Sequence, residues 1–296
     1  MTHDMLLTLN AVLDPRQAVP AHHYWVDNLN PWIVHFHGQW GIRWYGVAYL
    51  LGLYIAWYIF ARWAREGRLP LPPDEVPTLI LYAAGGVFVG GRLGYCIFYN
   101  LPYCLHHPLE IFRVWHGGMA SHGGIIGLTL AMILYARPRG YDAWLFLDAV
   151  AAVGPLGIFF GRIANFINGE LWGRPTHVLW AVIFPRAPLV NGVNVPRHPS
   201  ELYAAAIEGL MCLAVGQWMF RRQSRTGMTT AAVCIAYGIG RFTDEFWREP
   251  DVGQPVYWGW MSKGQLLTIP LFFAGLGILI YSLRKRDIQV PMAEEE

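Results

Sequence analysis

The chain has 296 residues, of which 54% are apolar, 15% are Phe, Trp or Tyr and only 14% are charged. Soluble domains carry about 25% charged residues, so the composition excludes an ordinary soluble domain and predicts a polytopic membrane protein, with Trp and Tyr suited to the membrane interfaces. A formal net charge of +2 gives no basis for a nucleic-acid partner, and none is expected.

Residues 1–43 are polar and aromatic, with Pro15, Pro20 and Pro31, and read as an irregular surface segment with room for a short interfacial helix. The first residues, MTHDMLLTLNAVLD, lack a basic n-region and an adequate apolar h-region, so no cleavable signal peptide is expected. A transmembrane helix needs about 20 mostly apolar residues. Such windows fall near 44–61, 76–99, 117–136, 144–166, 200–220, 228–247 and 265–283. The expectation is an all-α fold of seven transmembrane helices over 44–283, followed by a short tail at 284–296.

The arms between these windows sort by charge. Arg62, Arg65 and Arg68 follow the first window, Arg137 and Arg139 the third, Arg221, Arg222 and Arg225 the fifth, and Arg284, Lys285 and Arg286 the seventh. Every second junction is basic, which places those four in the cytoplasm and the N-terminus outside. The outer segments are then 1–43, 100–116, 167–199 and 248–264. The third holds five prolines and an apolar run at Val178–Phe184 with strand character, and predicts a small extracytoplasmic cap. The acidic tail Glu294–Glu296 reads as disordered.

The fourth window ends in GRIANFINGELWG, residues 161–173, where Arg162, Asn165, Asn168 and Glu170 interrupt an apolar run. Arg162 and Asn165 are three apart and share a helical face. Charges in a span are costly and face a cavity, a partner or a substrate, and the planar arginine fork matches phosphate oxygens. One reading is a phosphate-recognising site at the membrane surface; the other is an internal Arg162–Glu170 ion pair joining two helices. The remaining polar residues in or beside the windows also fall at predicted outer ends: Arg92, His122, Arg197, His198, Arg241, Asp244, Glu245 and Arg248. Spacings of three, four and seven set the last four on one helical face. The result is a polar chamber open to the outer leaflet, suited to a lipid headgroup.

Glycines line the second window at 85, 86, 90, 91 and 94 and open the third at 117, 118, 123, 124 and 127. In the second they read as close helix packing; around His122 they read equally as packing or as a backbone anion nest. His122 itself is a candidate general base or a structural histidine. His22-His23, His35-x-His37 and His106-His107 lack an HExxH pattern or a carboxylate at ligand spacing, so no metal is expected. Ser121 in GMASHG misses the G-x-S-x-G elbow, because Met119 stands at its first glycine. The four cysteines form no CxxC pair; Cys96, Cys212 and Cys234 lie in apolar runs and Cys104 in an outer loop, so neither a disulfide framework nor a zinc cluster is indicated.

GRIANFINGELWG fits the pattern G-R-x-[GA]-N-F-x-N-x-E-x-x-G and so resembles the signature of the prolipoprotein diacylglyceryl transferase family. The resemblance extends to IRWYGVAYL at 42–50, GGRLGYCIFYN at 90–100, FRVWHGGMASHGGIIG at 112–127, RHPSELY at 197–203, YGIGRFTDEFWREPD at 237–251 and SKGQLLTIP at 262–270. It implies a seven-span enzyme of the bacterial inner membrane with a periplasmic N-terminus and a cytoplasmic C-terminus. Such enzymes move the diacylglyceryl group of phosphatidylglycerol to the lipobox cysteine of a preprolipoprotein signal peptide. The products are a thioether-linked lipid and glycerol 1-phosphate. No cofactor is implied; the partners are the two substrates and membrane lipids. The matching positions important in the family are Tyr45, His122, Arg162, Asn165, Glu170, Gly173, Arg241 and Glu245. The chemistry makes His122 the expected base and Arg162 and Arg241 the expected stabilisers of the departing phosphate, with Tyr45, Asn165, Asn168, Glu170, Gly173, His198, Glu245 and Arg248, and Arg162 again, expected in substrate binding. Glu245 and Glu170 would orient the arginines. The family often reads H-P-S-Q-L-Y-E where this chain has HPSELYA, so Glu201 replaces the Gln and Ala204 the Glu. An anion or lipid transporter using the same arginines, or a lipid-binding scaffold, are the competing readings; no inverted repeat supports the first.

Overall fold

The computed structural model describes residues 24–37, 40–113, 118–222, 225–250 and 256–285, the side chains of 121 and 122 excepted. The fold is mostly helical. Among the described residues, α1 (Trp44–Arg65) is followed by α2 (Val76–Tyr99), the short α3 (Leu101–His106), α4 (Ser121–Ala136), α5 (Ala143–Val153) and α6 (Pro155–Asn168). Next come α7 (Ser200–Ala204), a π-helical turn (Ala205–Met211), α8 (Cys212–Arg222), α9 (Met228–Asp244) and α10 (Lys263–Arg284). Helices α5 and α6 form one apolar stretch, interrupted at Gly154–Pro155 where the proline has no N–H to donate. The last helix starts on a capping box: Ser262 Oγ accepts from the Gln265 N–H, and Gln265 Oε1 accepts from the Ser262 N–H.

Among the described residues, five stretches are long and apolar enough to cross a membrane: Trp44–Arg65, Pro73–Tyr99, Ala143–Asn168, Ser200–Arg222 and Lys263–Arg284. Their apolar side chains point outward; in the most apolar window of Trp44–Arg65 only 6% of residues are buried. Of the seven predicted windows, the third and sixth correspond to α4, with 16 residues, and α9, with 17, which fall short of that length. Both are packed tightly against a longer neighbour, α4 on α2 and α9 on α10.

Glycine makes the first of these pairings possible. A Cβ on Gly90 would collide with the Gly123 carbonyl, one on Gly127 with the Gly86 carbonyl, and one on Gly94 would lie 2.6 Å from the Gly123 Cα. The backbones of α2 and α4 are therefore in direct contact, as small residues permit. Of the two readings kept for the glycines near His122, packing holds at Gly123 and Gly127.

The N-terminal segment is not irregular where it is described. Strand β1 (Trp25–Val26) pairs in parallel with β4 (Val182–Ile183), which pairs antiparallel with β5 (Pro196–Arg197), while β2 (Trp32–His37) and β3 (Trp40–Arg43) form a hairpin leading into α1. The strand expected within Val178–Phe184 is β4. A further small hairpin, β6 (Val256–Tyr257) with β7 (Met261–Ser262), precedes α10. The expected interfacial helix finds no place in the described part of the segment, and the tail at 286–296 lies outside the described residues.

The two ends of the helix bundle differ in chemistry. At one end Phe60, Trp63, Leu69, Leu79, Met132, Tyr135, Phe146 and Phe220 form a closed apolar core, with Trp63 stacked on Phe220 at 4.2 Å. Asp148 contradicts the expectation that polar groups sit only at the opposite end. It is fully buried in α5 and accepts from the Gly227 N–H at 2.6 Å, the Thr230 N–H at 2.8 Å and Thr230 Oγ1 at 2.7 Å, capping the start of α9. Nearby, Lys285 Nζ donates to Asp142 Oδ2 at 2.8 Å and to Thr226 Oγ1 at 3.1 Å, tying the end of α10 to the start of α5.

The glycine contacts yield a paired prediction. Gly90→Val drives a branched side chain into the α4 backbone, and overpacking of this kind costs about 3 kcal/mol. It should lower the thermal unfolding midpoint in detergent micelles sharply. Gly85→Val, earlier on α2 where a Cβ meets nothing within 4 Å, should leave that midpoint nearly unchanged.

Candidate functional site

Helix α6 carries Arg162 and Asn165 on one face and ends at Gly169, whose φ of +61° is the left-handed cap that glycine adopts readily. The reversal turns Glu170 back onto the helix. Its Oε1 accepts from Asn165 Nδ2 at 2.7 Å and from Asn168 Nδ2 at 3.3 Å. Asn165 Nδ2 also donates to Tyr45 Oη at 3.3 Å, which docks the first turn of α1 onto the same face. The Asn168 carbonyl is held from the far side by Arg186. Tyr45, Asn165, Asn168 and Glu170, four of the expected site residues, thus form one hydrogen-bonded cluster.

Arg162 is ion-paired, but not with Glu170. Its Nη2 donates to Glu208 Oε2 at 2.8 Å. The other oxygen of the same carboxylate, Glu208 Oε1, lies 3.4 Å from Arg241 Nη1 on α9. Arg241 Nη1 is in turn 2.6 Å from Glu245 Oε2 and 3.6 Å from Asp244 Oδ2, the partners expected from their spacing along one helix. One carboxylate therefore bridges two arginines from two helices. Glu208 lies in the π-helical turn, where the wider backbone ring shifts a side chain out of α-helical register. Its side chain is 0% exposed, against 17% for Arg162 and 12% for Arg241, so the two guanidiniums face a partly open space with the acid behind them. Arg162 makes no other hydrogen bond among the described residues, and most of its five N–H donors are available to an anion.

Glu208 is a site residue that sequence reasoning misses. The signal for it is an acid in the interior of an apolar span, costly unless it serves a partner. Glu245 orients an arginine as expected, whereas Glu170 serves the asparagines instead.

Gly173, His198 and Arg248 also come together, through their main chains. Gly173 N–H donates to the His198 carbonyl at 2.9 Å, Gly173 bridges to Arg248, and a Cβ at Gly173 would collide with His198. The His198 ring shares a hydrogen bond of 3.2 Å with Tyr203 Oη, and burial pushes its imidazole below the usual histidine range, so it adds no positive charge at neutral pH. The backbone of His122 is the second residue of α4; its side chain lies outside the described residues.

Two arginines expected in the chamber serve the scaffold. Arg92 is buried and donates to the carbonyls of Ile111 at 2.9 Å, Gly118 at 3.1 Å, Arg113 at 3.2 Å and also Glu110, which pins the approach to α4. Arg197 donates to the carbonyls of Gly173 and Pro188 at 3.1 and 3.0 Å and lies 3.2 Å from Glu249. Cys104, expected in an outer loop away from the glycine and arginine motifs, is buried in α3, close to Cys96. Among the described residues no group of three His, Cys, Asp or Glu side chains converges as a metal cluster would.

Removing Glu208 would leave Arg162 without its acid and Arg241 with only Glu245 and Asp244. Breaking a buried ion pair in this way costs about 3–5 kcal/mol. Glu208→Gln should therefore lose thermal stability in micelles by roughly that amount, and Glu170→Gln, which keeps an acceptor for the asparagines, by far less. Equal midpoints for wild type and Glu208→Gln would rule out the bridge.

Residues 31–281 match the family model for prolipoprotein diacylglyceryl transferase. Relatives that carry the name phosphatidylglycerol–prolipoprotein diacylglyceryl transferase align over most of the chain. That of Rhodospirillum centenum is 45% identical over 243 residues, 81% of this chain and 87% of its own length. That of Agrobacterium fabrum is 43% identical over 249 residues, with the same two shares. That of Methylococcus capsulatus is 43% identical over 262 residues, 88% of this chain and 97% of its own. On the extent of these matches, with the arginine, asparagine and glycine motifs in one connected site, the chain belongs to the prolipoprotein diacylglyceryl transferase family.

Proposed function

We propose that this chain transfers the diacylglyceryl group of phosphatidylglycerol to the lipobox cysteine of a prolipoprotein, the first step of lipoprotein maturation. The observation that carries the reading is the Glu208 carboxylate shared between Arg162 and Arg241, which holds two permanent cations beside Asn165 and Tyr45 in a partly open site. In the reaction a sulfur–carbon bond forms at C3 of the glyceryl unit. The carbon–oxygen bond to phosphate breaks, and its electron pair leaves on the phosphate, releasing glycerol 1-phosphate. Negative charge grows on that phosphate, where preorganised guanidinium donors act with most effect. The attacking group is the thiolate of the substrate. His122 is the residue to which we assign the thiol proton, and Asn165 and Asn168, bonded to Glu170, hold the glyceryl end.

The same proposal covers placement in the membrane. The chain lies in the bacterial inner membrane with seven crossings, the five long stretches together with α4 and α9. At about 1.5 Å per residue the two short helices reach roughly 24–26 Å, and the turns at their ends supply the rest of a ~30 Å core. An odd number of crossings with basic arms after alternate helices puts the N-terminus in the periplasm and the C-terminus in the cytoplasm. Residues 1–43 are then a periplasmic segment, about 167–199 a periplasmic cap that β1 joins through β4 and β5, and 284–296 the cytoplasmic tail.

The activity is tested with purified protein, phosphatidylglycerol vesicles and a lipobox peptide. Wild type should add a diacylglyceryl mass to the peptide cysteine. Arg162→Lys keeps the charge and loses the fork, and transfer should drop about 100-fold. An unchanged rate would make Arg162 structural. His122→Gln should recover activity as pH rises toward the thiol range near ~8.5; a variant equally inactive at every pH would remove His122 from proton transfer.

Orientation has its own test. A reporter active only in the cytoplasm should work when fused after Arg68, Arg139 or Arg225 and stay silent within 100–113 or 170–196. The reverse pattern would invert the proposed topology.

A further inference from the structure

Glu201 is the second residue of α7, is 1% exposed, and neither of its carboxylate oxygens has a hydrogen-bond partner among the described residues. The site's other carboxylates are paired: Glu170 by two amides, and Glu208, Asp244 and Glu245 by arginines. Buried polar groups are almost always satisfied, and leaving a carboxylate bare in a low-dielectric interior is costly. The neighbour Ser200 offers nothing, because its hydroxyl donates to the Leu171 carbonyl at 3.0 Å. Helix α7 packs against α6, the helix that carries Arg162, and the Ser200–Leu171 bond holds Glu201 beside the reversal that bears Glu170. Other unpartnered acceptors lie in the same region, Asn168 Oδ1 and Asp244 Oδ1. The site holds its donors on the arginines and, apart from them, an excess of bare acceptors.

We propose that Glu201 recognises the terminal glycerol of the lipid substrate by accepting hydrogen bonds from its two vicinal hydroxyls. This rests on the transfer reaction proposed above. In phosphatidylglycerol the phosphate and ester oxygens only accept; the donors are the two hydroxyls of the terminal glycerol. A carboxylate presents two oxygens and only accepts, so it complements a vicinal diol. That diol is tethered to the phosphate that Arg162 takes, which brings the hydroxyls toward α7, packed against the helix of Arg162. The arginines then select for a phosphodiester and Glu201 for a polyol attached to it. A site built to bond a hydroxyl discriminates against an analogue that lacks it, because its own polar group is left unpaired.

The test pairs the residue with the hydroxyls. Purified full-length protein in mixed micelles is assayed with a lipobox peptide and either phosphatidylglycerol or phosphatidylpropanol, which has the same carbon count in its headgroup and no hydroxyl. Wild type should favour phosphatidylglycerol in kcat/KM. In Glu201→Leu, kcat/KM for phosphatidylglycerol should fall about 10- to 100-fold and far less for phosphatidylpropanol, so the preference collapses. Glu201→Gln keeps one acceptor oxygen and the side-chain shape, and should reduce that preference by roughly 3- to 10-fold. This variant decides the question if the leucine variant does not fold. A parallel fall with both lipids would assign Glu201 to the scaffold. A raised KM for the peptide with the lipid preference intact would assign it to the polypeptide substrate. An unchanged preference in Glu201→Gln would overturn the proposal as well. Absence of transfer from either lipid by wild type would instead defeat the reaction on which it rests.

Discussion

The carboxylate of Glu208, shared between Arg162 and Arg241, is the constraint on which the site depends. Two guanidiniums in a membrane-embedded bundle repel each other and are costly to desolvate. A fully buried acid between them offsets both effects and sets their separation. Because Glu208 approaches from behind, the arginines keep unsatisfied N–H donors on the open side. An anion that enters meets donors already in place, with little reorganisation left to do. The π-helical turn is what makes the approach possible, since it moves Glu208 off the register an unbroken helix would give it.

Everything around that bridge limits its freedom to move. Arg162 sits one turn from Asn165, which is bonded to both Tyr45 and Glu170, so α1, α6 and the reversal after α6 are one unit. Arg241 is held along its own helix by Asp244 and Glu245, and Glu245 is backed by Gly264, where an added Cβ would lie 2.6 Å from its carboxylate. The apolar core and the Asp148 cap close the opposite end of the bundle. A bundle with its arginine pair at one end and an apolar outer surface matches a lipid substrate, whose headgroup needs the charges and whose chains need the membrane.

Arg92 and Arg197 illustrate a different use of the same residue type. Each is buried and donates to backbone carbonyls, holding loops that no regular ladder satisfies. Arginine suits that task for the reason it suits phosphate, a planar array of donors that never loses its proton. Residue type is the same for these two arginines and for the site pair; the neighbours make the difference.

What the amino-acid order determined by itself was local or compositional. Apolar windows and scarce charge announced the membrane class, and three- and four-residue spacings placed Arg162 with Asn165 and Arg241 with Glu245 on common faces. Long motifs at 161–173 and 237–251 pointed to the family. Only the tertiary structure decided which groups on different elements meet: Glu208 rather than Glu170 at Arg162, Cys104 beside Cys96, and β1 beside β4. It also drew α4 and α9 shorter than their apolar windows. The physical reason is that helical periodicity fixes the direction a side chain faces on its own element, whereas pairing across elements depends on how the rods cross. That crossing is set by glycine contacts, the interruption at Gly154–Pro155 and a π turn, whose geometric effects accumulate over the whole bundle.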